Sequence, residues 1–415
     1  MERDVPLRTD HLFRVASHSK TFTATAILQL AERRQLRLDD RAADHISWLD
    51  QPPFTAIAAV TLRELLAHGG GLLRDGDYWQ LRFPFPATPD SLRDQLRDQA
   101  SVLPPNTRFK YSNMGYSLLG LVVEHASGIP FRDYVRAHIV ERIGLRNTAP
   151  DYVAERAADY AQGYTHTQLG LPRRPIDHVD TGAMSAATGF TSTAADLAAY
   201  FTAHCIGDDR LLSDTSKRRM QQPQWSPRDH EHYGLGMMLL DIGDRRLAGH
   251  TGGYPGHATK TWFDPAERFV VSVLTSSTDG PDLASGLLRL IDYCARLEPA
   301  TPPAGVDPRS FGGRFLTLWG VYDIVPVGGR LLRIEPETNN PLDSLAELTI
   351  ESATTARITK ADGYTSPGEV MTFDFDAAET IARIRGESAS SAWPQQAFER
   401  IFLGRERVAV PRQGE

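Results

Sequence analysis

The sequence predicts an α+β fold: an antiparallel sheet flanked by helices, with a mostly helical insert, followed by a small all-β barrel. Three observations predict it. Helix and loop patterns dominate from residue 17 to about 200. From about 233 the texture changes to strand-like runs joined by tight turns, closed by an apolar-faced helix. After a proline-rich stretch at 298–308, short strand-like runs recur at the spacing of a barrel or sandwich.

The elements follow in order. Residues 17–36 read as a helix, with Ile27, Leu30 and Ala31 on one apolar face, Phe22 about a turn earlier, and the polar Glu32, Arg33, Arg34 and Gln35 towards its end. Residues 61–67 read as a short helix running into the turn His68-Gly69-Gly70-Gly71. Residues 115–127 form another helix, stopped by Gly128 and Pro130, and 130–143 repeat the helical pattern. Strands are expected at 233–241, 245–249, 257–264 and 268–276, the last two joined by a turn starting at Asp264-Pro265. A helix over 282–297 carries Leu287, Leu288, Leu290 and Ile291. These elements define a first domain, 1–297, and residues 298–308 a linker. A barrel domain, 309–415, has strand-like runs at 311–319, 321–327, 330–334, 346–352, 356–359, 370–375, 380–384 and 397–402.

Bulk properties narrow the function. The chain has 415 residues, 41% hydrophobic and 23% charged, which fits an ordinary globular protein of two or three domains. The net charge of −7 disfavours nucleic acid and anionic membranes as partners. No apolar run approaches the ~20 residues of a membrane span. Cys205 and Cys294 are too few for a disulfide framework or a zinc site and read as small buried side chains. Met1 is followed by Glu2, Arg3 and Asp4 without an apolar segment, so no signal peptide is read and a cytoplasmic location is expected. No metal or organic cofactor is indicated. His230-Glu231-His232 reads as a polar loop.

Three short motifs carry the chemistry. Ser17-His18-Ser19-Lys20 heads the first helix in a chain with five lysines. Ser17 and Lys20, at i and i+3, share a helix face, and a desolvated lysine can take a serine proton. The alternative is that Ser17 caps the helix and Lys20 is solvated. Ser19, adjacent to Lys20, points elsewhere. Tyr111-Ser112-Asn113 lies between an extended segment and a helix. A tyrosine near a cation can have its phenol pKa lowered and shuttle a proton, and Asn113 offers a donor and an acceptor to a substrate amide. Alternatively Tyr111 is a core aromatic and Asn113 a helix cap. His250-Thr251-Gly252-Gly253 lies at a strand start. His250 is placed to polarise Tyr111 or meet a carboxylate, Thr251 to bond that carboxylate, and Gly252 to leave room for substrate against the strand. The N–H groups of Ser17 and Gly253 would form an oxyanion hole. A further His-x-Gly at His68 lies in what reads as a glycine turn.

Jointly and in this order, Ser17-x-x-Lys20, Tyr111-Ser112-Asn113 and His250-Thr251-Gly252 closely resemble the serine β-lactamase/DD-peptidase superfamily on its class C-like branch, over about residues 7–297. The resemblance implies Ser17 as acyl-enzyme nucleophile and Lys20 and Tyr111 as handlers of its proton. It also implies Asn113 as amide ligand, His250 and Thr251 on the strand edge, and Ser17 and Gly253 as the oxyanion hole. Family β-lactamases usually carry lysine in the third motif, whereas His-Thr-Gly is similar to D-alanyl-D-alanine peptidases and D-aminopeptidases. Family esterases often lack the asparagine. The resemblance therefore implies a serine peptidase or amidase acting on a small-molecule or peptide substrate, with D-residues. A carboxylesterase, acyltransferase or β-lactamase using the same site, and a non-catalytic ligand-binding or assembly protein, are the alternatives. The C-terminal barrel resembles the lipocalin-like domain appended to some of these peptidases and is expected to aid homo-oligomer formation or shape substrate entry. One departure stands out. Family members usually have several dozen residues before the nucleophile, supplying a helix and two strands, and here 16 precede Ser17. The strand at 268–276 is then expected to be an exposed apolar edge. A start placed too late, a second chain pairing there, or a degraded protein remain open, and an export signal with them.

Overall fold

The computed structural model describes residues 5–76, 85–97, 100–166, 171–277, 283–338, 340–361, 366–386 and 391–403. The chain divides into two compact units, Met1–Ala284 and Ser285–Glu415.

The sheet of the first unit has six strands hydrogen-bonded in chain order, all antiparallel. They are β1 (Trp225–Arg228), β2 (Glu231–Tyr233), β3 (Met238–Ile242), β4 (Arg245–Tyr254), β5 (His257–Asp264) and β6 (Phe269–Thr275). The strands expected at 257–264 and 268–276 are present. The strand expected to end at 249 continues to Tyr254, and two of its glycines serve close packing: a Cβ would stand 2.0 Å from Thr261 O at Gly249 and 2.3 Å from Val15 O at Gly252. The β1–β2 hairpin corrects the reading of 230–232 as a loop: His230, at φ +63°, makes the turn, and Glu231 and His232 are in strand. His232 Nε2 faces Asp241 Oδ2 at 2.9 Å. Among the described residues no group of three or more His, Cys, Asp or Glu is placed to hold a metal ion.

Helix α1 (Ser19–Glu32) is the central helix, buried from Ser19 to Leu30 and not only on one face. Its threonines tolerate that burial because their hydroxyls bond back along the helix: Thr21 donates to His18 O at 2.7 Å and Thr25 to Thr21 O at 2.8 Å. Helix α2 (Asn113–Ser127) packs against it and ends at Gly128 with φ +76°. The pattern at 130–143 is broken: an α-turn at Phe131–Val135, a wider turn at Arg136–Val140 and a tighter one at Glu141–Ile143. Helix α3 (Ala194–Thr202) packs across β5 and β6. Among the described residues β6 pairs only with β5, so it is an edge, but all seven of its residues are half-buried and Val270 and Leu274 join the core.

Most of helix α4 (Leu283–Arg296) falls in the second unit. That unit also contains a closed barrel of eight antiparallel strands, β7 (Gly313–Leu316), β8 (Val321–Val327), β9 (Arg330–Ile334), β10 (Ala346–Ser352), β11 (Thr355–Ala361), β12 (Val370–Phe375), β13 (Ile381–Arg385) and β14 (Ser391–Pro394). Alternate residues such as Leu348 and Ile350, or Met371 and Phe373, fill its interior. The strand expected at 397–402 is a correction. Gln395–Phe398 is helical and Glu399–Leu403 continues as a wider turn, because Phe398, Ile401 and Phe402 repeat at i, i+3 and i+4. Closure falls instead to β14, where Phe315 pairs with Pro394 and Leu316 with Trp393.

Candidate active site

Ser17 is presented by a strained corner. Phe13–Arg14 pairs antiparallel with Thr191–Ser192, and Val15 N–H donates to Phe190 O at 2.9 Å. The chain then reverses through Ala16, an alanine at φ +47°, into a tight turn at Ala16–His18 that leads into α1. Ser19 locks the corner: its Oγ donates to Ala16 O at 2.5 Å and accepts from Phe190 N–H at 3.0 Å. Ser19 is therefore structural, and Ser17 is half-buried at the pocket wall.

Lys20 is fully buried. Its Nζ lies 3.0 Å from Ser17 Oγ and 2.8 Å from Ala187 O. Burial drives its pKa well below that of an ordinary lysine, with Asp75 opposing that fall and Arg74 adding to it. The solvated alternative for Lys20 is thereby removed. Tyr111 lies over the same amine, its ring centroid 4.8 Å from Nζ, and its hydroxyl bonds the Ser17 side chain. Its phenol is not acidified: burial raises its pKa above the ordinary tyrosine value. Tyr111 is therefore a protonated donor in the resting site, a correction to the expectation of a lowered phenol.

Asn113 does not cap α2. Ser112 does, accepting Gly115 N–H at 2.9 Å. The Asn113 amide is left for the pocket, with Nδ2 donating to Asp75 Oδ1 at 2.5 Å. His250 is buried. Its Nδ1 lies 2.6 Å from Thr251 O, which assigns the ring proton there and leaves Nε2 to accept from Tyr233 O–H at 3.2 Å. Tyr233, and not Tyr111, is the hydrogen-bond partner of His250. Thr251 Oγ1 rests 3.6 Å from Met238 Sδ at the pocket wall. A Cβ on Gly252 would stand 2.3 Å from Val15 O and 2.3 Å from Thr259 Oγ1, whereas one on Gly253 would meet nothing within 4 Å. Gly252 thus lets β4 close on the chain entering Ser17, and the open side of the strand lies at Gly253. This corrects the expected role of Gly252.

Ser17, Tyr111, Asn113, His250, Thr251 and Gly253 line one cavity of about 680 Å³. Gly252 is outside that lining. Sequence reasoning passed over Arg74 and Tyr233 on the same wall, and Asp75 beside Asn113, and left Glu231 in a polar loop. It placed His68 in a glycine turn and gave it no part in the site; its Nδ1 accepts Ser112 N–H at 3.1 Å and its ring lies 4.1 Å from that of Tyr111. No spacing rule marks these residues. The one available signal was a bulky residue beside three glycines, and His68 indeed takes φ +60°. A second cavity, about 740 Å³, is lined by Leu121, Phe131, Arg132 and Asp180 and meets the first at Tyr254 and Pro255, but lacks Ser17.

A buried lysine amine against a serine hydroxyl, on a helix packed in an α+β domain with an antiparallel sheet, defines a class of protein. Residues 1–294 match the Beta-lactamase family, and the chain belongs to it. It is a hydrolase-family fold with a closed eight-stranded barrel appended. Its relatives include a penicillin-binding protein of Bacillus subtilis (strain 168), 27% identical over 317 residues that cover 72% of this chain and 68% of that one. The D-amino acid amidase of Ochrobactrum anthropi SV3 superposes with a TM-score of 0.55 at 26% identity, covering 66% of this chain and 79% of that one. An octameric penicillin-binding protein homologue from Pyrococcus abyssi shares the fold over 94% of this chain and 90% of its own, with a TM-score of 0.62 at 20% identity. No helix among the described residues is long and apolar enough to cross a membrane.

Proposed function

We propose that this chain is a serine hydrolase that forms an acyl-enzyme on Ser17 and cleaves peptide or amide bonds, with D-residue substrates as the favoured class. The observation that carries this reading is the fully buried Lys20 amine 3.0 Å from Ser17 Oγ. Neutral Lys20 takes the Ser17 proton as Oγ attacks the carbonyl carbon. The backbone N–H groups of Ser17 and Gly253 receive the oxyanion. Tyr111, protonated and bonded to Ser17, gives its proton to the leaving nitrogen and regains one from the Lys20 ammonium. Water then cleaves the ester by the reverse relay. The D-amino acid amidase and penicillin-binding protein relatives support the substrate class, as do Asn113 and His250 at their positions in the cavity wall.

Intact mass spectrometry after exposure to a fluorophosphonate tests the nucleophile. One adduct on the parent and none on Ser17→Ala is expected. A labelled parent that turns over short-chain esters but no D-amino-acid amide would move the assignment to an esterase. An unlabelled, folded parent would leave a binding protein on this scaffold.

A further inference from the structure

When Lys20 takes the Ser17 proton, a full cation forms on a fully buried side chain, and burial opposes it. Its immediate surroundings are mostly neutral. Tyr111 and Tyr116 present ring faces at 4.8 Å and 5.6 Å. His18, His68 and His250 are buried imidazoles that burial keeps uncharged. Among the described residues the charged groups that act on Lys20 are Asp75 and Arg74, of opposite sign.

Asp75 is fixed in place. Arg74 O accepts the N–H groups of Asn113 at 2.8 Å and Met114 at 3.2 Å, which docks the 74–75 segment on the first turn of α2. Asp75 Oδ1 accepts from Asn113 Nδ2 at 2.5 Å, and Oδ2 meets Arg74 Nε at 3.1 Å. A carboxylate only accepts, so Nδ2 must face it, and the Asn113 amide has one orientation. Asn113 Oδ1 is left buried without a partner. The two opposing charges are also unequal in effect. The Arg74 side chain is 62% exposed and that of Asp75 20%, so water screens the arginine more and the carboxylate dominates the field.

We propose that Asp75 is a positioning residue that locks the Asn113 amide and provides the counter-charge for the Lys20 ammonium formed during acylation, without touching substrate. This rests on the Ser17 acyl-enzyme reading above.

The test is the pH dependence of Ser17 labelling by a dialkyl fluorophosphonate, which carries no amide for Asn113 to recognise. In that reaction the Ser17 O–H and P–F bonds break, the O–P bond forms, fluoride leaves and the proton passes to Lys20. Labelling rises with pH as Lys20 loses its proton. Asp75→Asn keeps an oxygen acceptor for Asn113 but removes the charge. It is expected to shift the acid limb to lower pH and to lower the plateau rate about tenfold or more. Arg74→Met, at a mostly exposed side chain, is expected to shift the limb the other way. Opposite shifts are the signature that a merely structural role would not produce. An Asp75→Asn profile that superposes on the parent, or falls without moving its limb, overturns the proposal. If Asp75→Asn fails to fold, Asp75→Ser, which also removes the charge, takes its place, and an unmoved limb there overturns the proposal. A parent that never labels fails the Ser17 reading, and this proposal with it; a labelled parent with unmoved limbs fails this proposal alone.

Discussion

Lys20 is fully buried, and burial favours its neutral amine because an ammonium there would lose its hydration shell. Lys20→Met removes the base while filling the same volume. It is expected to slow Ser17 labelling by roughly 10²–10⁴-fold, the range of general-base catalysis, with little change in melting temperature. The two glycines of the third motif separate in the same way. Gly252→Ala drives a methyl to 2.3 Å from Val15 O and is expected to destabilise by roughly 1–3 kcal/mol in denaturant melts. Gly253→Ala meets nothing within 4 Å, so its expected loss is in labelling rate and not in stability. Equal stability losses in the two variants would refute this division of roles.

The N-terminus of α2 is the element on which the site turns. Ser112 Oγ accepts Gly115 N–H at 2.9 Å and donates to Leu73 O at 2.6 Å, while Ser112 N–H donates to His68 Nδ1 at 3.1 Å. Cap, glycine turn and the segment carrying Tyr111 are thus tied together at the start of α2. Ser112→Ala is expected to cost about 1 kcal/mol as a lost N-cap. It is also expected to lower the labelling rate, because Asn113 and Tyr111 flank it. Unchanged labelling beside lowered stability would mean that the cap does not position the site. The motifs themselves were legible because their chemistry constrains residues one to three positions apart. His68 and Asp75 were not, since each meets its partner across 38 or more residues of chain, His68 at Ser112 and Asp75 at Asn113.

Across the whole molecule, buried imidazoles set the acid stability. His18 and His204 are held down to about 4 and His257 to about 3, in each case chiefly by burial. In the unfolded chain they titrate near 6.5. Between about 4 and 6.5 the unfolded state binds more protons, so stability is complete above that window and falls as pH drops through it. Melting temperature is expected to decline from pH 7 to pH 4.5, and less steeply in His204→Gln. A flat profile would refute this. At the same scale, a variant lacking residues 305–415 is expected to keep Ser17 labelling, since the family match ends at 294, and to change in solution mass or substrate range. If neither changes, the barrel has no part in assembly or substrate entry.

The sequence by itself determined the fold class, five of the barrel strands at or near their ends, the order of the three motifs, and the pairing of Ser17 with Lys20. Each of these depends on local periodicity or on residues within one turn of helix. Tertiary structure decided the rest. It raised the Tyr111 phenol, turned His250 to Tyr233, assigned Gly252 to packing and Gly253 to the open wall, closed the barrel through Ser391–Pro394, and brought Asp75 to Asn113. These outcomes depend on desolvation and on contacts between distant segments. The pattern of residues along a chain carries neither quantity until the chain has closed around them.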